Sequence, residues 1–384
     1  MIPMNSTRPL NIALLRRSII PGNGGAERVA ARFIREFLRR GHRITVFGEE
    51  IADEVKDGIE WVQVPKAGFA SSGTTRFHHN VQPLVDLRRH YYDIVYTMCR
   101  TYPADVFRVT EQLHAEWLPL NYPRPLQLLP RHRSLLKLEK AMFDPNHIRH
   151  VVVISELIRK QILARYHFPD EFITRIPNGI DRDLFFPATP EEKSRLRREL
   201  DWPEDKQILL FVSANFRTKR LDLAIQAAAG LDDNQKKQIL MVVVGGSRPD
   251  AYRRQAENAG LAIRFTGKAT AMRQYYAAAD LLYYPSPYEP FANVCLEAAA
   301  CALPILTTAM VGAAELVTPG INGYVVDRLE NVAAIRTALT AFLALPAESR
   351  RQMGESICAV TAAYSWERHA DLLEQLFFRL RKQS

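Results

Sequence analysis

The feature that most restricts the fold is an alternation of short apolar runs with segments of helical length, beginning at Ile208. Runs of strand length stand at 208–213, 240–244, 263–265 and 281–284, with helix-like segments 221–230, 251–259 and 272–279 between them. A helix after each strand returns the chain to the same end of the sheet, so the strands run parallel. The expected class is therefore α/β with a doubly wound parallel sheet. The start of the chain repeats the pattern: a strand at 11–15, a glycine loop at 21–25, a helix at 26–40 and a strand at 43–47. A chain of 384 residues is long for one core, so two such domains are expected.

In an open α/β sheet, ligands settle beyond the carboxyl ends of strands. The stretch 281–308, LLYYPSPYEPFANVCLEAAACALPILTT, reads as strand, loop and helix, with Pro285 and Pro287 breaking regular structure between them. Two carboxylates bracket the loop. Glu289 lies on it, and with a helix start near Phe291, Glu297 lies roughly 9 Å along the helix at about 1.5 Å per residue. Between them the helix N-terminus offers unpaired N–H groups and the positive end of a dipole, which suit a phosphate. Carboxylate, anion site, carboxylate is an order that a diphosphate with a hydroxyl-rich group at each end, such as a nucleotide sugar, would fit, because ionised carboxylates accept hydrogen bonds from hydroxyls. Two solvated surface glutamates are the plain alternative. A retaining glycosidase is another, but its carboxylates stand about 5 Å apart across one bond.

The spacing Glu289-x7-Glu297 within EPFANVCLEAAACALPILTT resembles the donor-site signature of the family 4 retaining glycosyltransferases, which have the two-domain GT-B fold. The resemblance implies that Glu289 holds the transferred sugar, that the amides of Phe291, Ala292, Asn293 and Val294 hold the distal phosphate, and that Glu297 binds ribose hydroxyls. Ala292 and Ala302 stand where the family usually has glycine. Asn215-Phe216-Arg217-Thr218-Lys219-Arg220 follows the strand at 208–213, and its cations suit a diphosphate leaving group. Lys219 matches the family's basic residue, and Arg217 substitutes for the arginine usual where Ala214 stands. Gly245 and the run Phe265-Thr266-Gly267 resemble backbone loops beside the nucleoside. Gly24 and Gly25 resemble the family's N-terminal glycine loop, which faces the donor phosphate across the cleft. They are not a dinucleotide fingerprint, whose third glycine would fall at Glu27. A turn that merely needs glycine is the alternative.

Beyond a strand at 93–96, Arg100, Asp105, Glu111 and His114 lie where acceptor-side groups are expected; Asp105 resembles an Asp in a comparable context in the lipopolysaccharide core glucosyltransferases, and His114 resembles the sugar-contacting His found elsewhere in the family. Either could equally be structural. Net charge is +9, and residues 1–185 carry 27 Lys and Arg against 20 Asp and Glu, while 186–384 carry 24 against 22. No nucleic-acid module accompanies this basic excess. It concentrates in 117–150, where basic residues interleave with Leu, Tyr and Phe, as in a segment that lies on an anionic bilayer. An insertion packed on its own domain is the alternative. No apolar run reaches the length of a transmembrane helix, and the N-terminus lacks the apolar core of a signal peptide, so the expected location is cytoplasmic and peripheral on the membrane. Cys99, Cys295, Cys301 and Cys358 form no CxxC pair, which favours reduced thiols over zinc or disulfides.

The expected domains are 1–187 on the acceptor side, with a terminal helix at 366–384 crossing back to it, and 188–365 binding the donor. The resemblance implies a retaining, metal-independent transferase with no cofactor. It would move a hexose from a UDP-sugar or a related donor to a glycolipid or oligosaccharide acceptor. A sugar-nucleotide epimerase of the same fold and a non-catalytic membrane-surface binding protein remain as alternatives.

Overall fold

The computed structural model describes residues 8–381. The chain divides after Asn178 and again after Trp366 into two compact units. Among the described residues, the sheet of the first unit has seven strands: β1 (Asn11–Leu15), β2 (Arg43–Gly48), β3 (Glu60–Gln63), β4 (Ile94–Thr97), β5 (Ala104–Arg108), β6 (Ile148–Val153) and β7 (Ile173–Arg175). They lie in the order β3-β2-β1-β4-β5-β6-β7, every neighbouring pair parallel. The sheet of the second unit holds β8 (Gln207–Val212), β9 (Ile239–Val244), β10 (Ile263–Gly267), β11 (Leu281–Tyr284), β12 (Ile305–Thr308) and β13 (Gly323–Val326), in the order β10-β9-β8-β11-β12-β13 and again all parallel. Both sheets wind outward in two directions from a central pair, β1 with β4 and β8 with β11. The crevice above such a pair is where a doubly wound fold receives its ligand.

The central strands are apolar along their whole length because helices cover both faces. Leu209, Leu210, Phe211, Met241, Val242, Val243, Leu281 and Leu282 are all fully buried. In the first unit, α1 (Gly25–Arg39) turns Val29, Phe33 and Phe37 inward at helical spacing. The C-terminal helix Trp366–Leu380 joins this unit by setting Phe377 against Phe37 and Tyr96, at ring distances of 5.7 and 5.2 Å, while its Glu374 bonds Arg40 and His42.

Three expectations change. The boundary near Pro187 moves to Asn178, because Ile180 already bridges Ser365 within the second unit, its N–H meeting the Tyr364 carbonyl at 2.8 Å. Most of the segment 117–150 is helical, in α2 (His114–Asn121), α3 (Arg124–Gln127) and α4 (Pro130–Met142), before β6 begins at Ile148. It is partly a packed insertion, since α4 buries Leu135, Leu138 and Met142. Finally, the stretch holding Asp105 is the strand β5, whose five residues are all buried, so that no polar and apolar alternation marks it in the sequence.

Candidate functional site

The second unit brings together residues from the carboxyl ends of its two central strands. After β8 the chain crosses Ser213 to Arg220 before α5 (Leu221–Ala229) begins. Phe216 anchors this loop by burying its ring against Tyr252 and Phe265, and the N–H of Thr218 meets Asn215 Oδ1 at 3.1 Å. Arg217 is consequently exposed, while Lys219 turns inward. Gly245 lies against the same exit: a Cβ there would stand 1.8 Å from the Ser213 carbonyl, so only glycine fits.

After β11 the loop reaches Glu289, whose backbone is pinned on both sides. Its N–H donates to the Met310 carbonyl at 3.0 Å, and its own carbonyl accepts from Gly312 at 2.9 Å. The side chain then has little choice of direction. The Glu289 carboxylate meets the Lys219 ammonium in an ion pair, and the Tyr284 hydroxyl lies 3.4 Å from its Oε1. Burial pushes the Lys219 ammonium down to about 8, and the carboxylate beside it acts in the opposite direction. Two residues seventy positions apart, singled out separately in the sequence, thus form one contact at the switch point of the sheet.

Helix α7 (Asn293–Ala300) follows, starting two residues later than Phe291 with Ala292 at its N-cap. Phe291 is buried, its carbonyl accepting from Ala313, so this residue anchors the loop while the first turn of α7 presents the amides of Asn293 and Val294. Ala292 has φ +77° and Ala302 has φ +57°. Both positions where the resemblance leads one to expect glycine therefore have the left-handed backbone that glycine adopts without strain. Glu297 lies inside α7, only 6% exposed, and accepts the hydroxyl of Tyr276 on α6 (Met272–Ala278) at 2.8 Å.

In the first unit, Gly24 caps α1 and Gly25 begins it, beyond the carboxyl end of β1. Arg16, Arg100 and Glu111 gather at the same end of that sheet, Glu111 lying 2.8 Å from Arg100 and 3.7 Å from Arg16. The small cavity beside them, of about 10 Å³, is lined by Arg100, Thr110, Glu111 and Glu139 among others. Glu139 accepts from the Ala115 N–H at 2.9 Å, from the His114 N–H and from the Tyr166 hydroxyl at 2.6 Å, so it caps α2 from a neighbouring helix.

Of the two acceptor-side expectations, the one for Asp105 is corrected here. Asp105 sits at the amino end of β5, away from the ligand end of the sheet, and is 2% exposed. Its carboxylate accepts from the Val95 N–H and pairs with Arg89 and Arg149, so it ties strands and loops together instead of meeting an acceptor. His114 does lie at the ligand end, but it is buried with Nε2 3.1 Å from His132 Nδ1. Burial, with Arg100 and His132 nearby, pushes its imidazole down to about 4, leaving it neutral near pH 7. Arg16, Glu139 and Tyr276 were not singled out in the sequence. Each owes its place to a partner distant in the chain, and no local motif marks them. Among the described residues, no cluster of three or more His, Cys, Asp and Glu side chains is suited to hold a metal.

The known proteins that this chain resembles in sequence and fold are glycosyltransferases. A family model described as Glycosyltransferase Family 4 matches residues 23–184, and one described as Glycosyl transferases group 1 matches 192–357. The lipopolysaccharide glucosyltransferase WaaG of Escherichia coli (strain K12) is 26% identical over 327 residues, covering 83% of this chain and 86% of that protein. A D-inositol 3-phosphate glycosyltransferase of Geodermatophilus obscurus is 33% identical over 230 residues, 56% of this chain and 49% of that protein. Among solved structures, WaaG superposes with a TM-score of 0.80 at 23% identity, covering 94% of this chain and 99% of that one. Anabaena Alr3699/HepE, solved in complex with UDP-glucose, superposes with a TM-score of 0.70 at 19% identity, covering 96% and 100%.

Proposed function

We propose, on the premise that this chain belongs to the glycosyltransferases, family 4 in its first domain and group 1 in its second, that it transfers a hexose from a nucleoside diphosphate sugar to a membrane-associated glycolipid. The observation that carries the reading is the meeting of Lys219 and Glu289 above the central strands of the second unit, with the start of α7 and Glu297 next in the chain. A UDP-hexose is the preferred donor, supported by the fold shared with a protein solved with UDP-glucose. A lipopolysaccharide-core acceptor is supported by likeness to WaaG.

The chemistry follows from where charge develops. As the bond from the anomeric carbon to the diphosphate oxygen breaks, negative charge grows on the leaving group. Lys219, Arg217 and the first amides of α7 stabilise it there, so protein cations do the work a metal would otherwise do. Glu289 faces the sugar as positive charge builds on its ring. The acceptor oxygen forms the new bond on the face the diphosphate leaves, and its proton passes to the departing phosphate, which retains the anomeric configuration without a protein nucleophile.

The test is calorimetry with UDP, GDP and ADP, followed by transfer from UDP-glucose to lipopolysaccharide inner core in the presence of EDTA. Tight UDP binding and an α-linked product are expected. Binding of none of the three nucleotides would refute the donor site, and conversion of UDP-sugar without acceptor would indicate an epimerase.

The membrane part of the proposal rests on α3 and α4. Leu126, Leu128 and Leu129 are exposed, Leu128 to 71%, and Arg124, Arg131, Arg133, Lys137 and Lys140 are exposed beside them. Each basic residue close to an anionic surface contributes about 1 kcal/mol. Replacing Arg131, Arg133, Lys137 and Lys140 together is expected to release the protein from phosphatidylglycerol vesicles in a sedimentation assay. Unchanged sedimentation of the folded variant would remove this surface from the proposal.

A further inference from the structure

We infer that Tyr276 is a positioning residue of the donor site: its hydroxyl sets the Glu297 carboxylate for the ribose and so governs how strongly the site prefers a nucleotide with both ribose hydroxyls. The inference rests on the reading of Glu297 as the ribose-binding group. A glutamate reaches its carboxylate through three side-chain torsions, of which the last is broad and roughly two-fold, so the plane of the oxygens is not fixed by the helix. It must be fixed by a partner. Glu297 is nearly buried, where a carboxylate is costly unless hydrogen bonds compensate for lost water. The Tyr276 hydroxyl, 2.8 Å from Oε2, is such a partner.

Three features suit Tyr276 to this task. Its ring is 1% exposed, on a short helix that ends two residues before Asp280, which is clamped by Lys193, by Arg197 and by the Ile208 N–H, so the phenol is held from behind. Burial, and then the adjacent Glu297 carboxylate, push the phenol well above its ordinary value, so it stays protonated and donates at any working pH. A neutral donor facing an ionised acceptor also makes a charge-assisted bond, among the stronger and more directional in proteins. The bond satisfies one oxygen and orients the whole carboxylate, because the two oxygens share a plane.

The experiment measures UDP and 2′,3′-dideoxy-UDP binding by calorimetry for wild type, Tyr276→Phe, Glu297→Gln and the double variant. Loss of one charge-assisted bond predicts that Tyr276→Phe weakens UDP by roughly tenfold. It should leave dideoxy-UDP nearly unchanged, raise the donor KM, and keep kcat at saturating donor. In the Glu297→Gln background, Tyr276→Phe is expected to add nothing, since the two act as one unit. Because the dideoxy nucleotide serves as an internal control in each variant, a partial loss of fold cancels in the ratio of affinities. Equal weakening of both nucleotides, or an unchanged ratio, would overturn the positioning role while leaving Glu297 in place. A Glu297→Gln variant that keeps the full preference for UDP would overturn the ribose role of Glu297, and the inference with it.

Discussion

The contact between Lys219 and Glu289 alters what each residue is expected to do. From sequence alone, Glu289 touches only the sugar, so its replacement should not change UDP binding. In the structure it pairs with the ammonium that we propose meets the diphosphate. Removing the negative charge frees Lys219, and we expect Glu289→Gln to bind UDP several-fold more tightly while kcat falls by about 10², the scale of losing one preorganised electrostatic contact. The same substitution removes the group that opposes the effect of burial on Lys219. In this variant the ammonium is therefore expected to lose its proton at lower pH than in wild type, and UDP affinity to fall more steeply than in wild type as pH rises from 7 to 9. Calorimetry across that range tests both points. Wild-type UDP affinity in Glu289→Gln would mean that the ion pair does not oppose donor binding, and wild-type turnover would remove Glu289 from the reaction. Glu289, Lys219 and Glu297 stand out as candidates in the sequence because each belongs to a local string. Asp105 stayed open between two readings in the sequence because its two arginines lie sixteen and forty-four positions away and nothing local distinguishes a strand-tying carboxylate from a catalytic one.

Helix α7 shows how an element can be right in outline and informative in its departures. Its end is a Schellman turn: the Leu303 N–H donates to the Ala298 carbonyl and the Ala302 N–H to the Ala299 carbonyl, both at 3.0 Å. Glycine is the usual residue at such a position, and Ala302 occupies it with φ +57°. Relief of the Cβ strain exceeds the entropy that glycine adds to the unfolded chain, so Ala302→Gly is expected to stabilise the protein by about 0.5–1 kcal/mol. A thermal melt checks this, and a lower Tm would show that the Ala302 methyl is worth more in packing than it costs in strain. The alternation of strands and helices was legible because period and apolar content mark it. The insertion α2 to α4 was legible only as basic and apolar, since which of its leucines face inward depends on the sheet beneath them. Leu135 and Leu138 are buried there, whereas Leu126 and Leu128 are exposed.

At the scale of the whole molecule the two units share a topology but differ in how they respond to acid. All ten histidines lie in the first unit, and the second unit has none. Among the buried ones, three are pushed far down. Burial, then Arg379, pushes His150 down to about 4, burial, then Arg108, pushes His369 down to about 3, and His114 stands at about 4. The sign follows from proton uptake. Between each lowered value and the ordinary 6.5, the unfolded chain binds protons that the folded unit does not, so this stability is complete above 6.5 and is lost as pH falls through the lowered values. At roughly 1.4 kcal/mol per pH unit, each group removes on the order of 2 kcal/mol by pH 5, a large share of the stability of an ordinary domain. In the second unit, Asp280 is held below the usual carboxylate range by Lys193 and Arg197 against the cost of its burial, so its contribution is lost only at still lower pH. Pulse proteolysis along thermal ramps at pH 7.5 and pH 5 is therefore expected to release fragments of the first unit at a much lower temperature at pH 5, while the second unit shifts little. The His369→Gln variant, whose amide can still donate to the Pro177 carbonyl that His369 Nδ1 meets at 2.8 Å, should show a smaller acid shift than wild type. Equal shifts in both units, or an earlier loss of the second, would mean that the buried imidazoles do not set the acid limit of this protein.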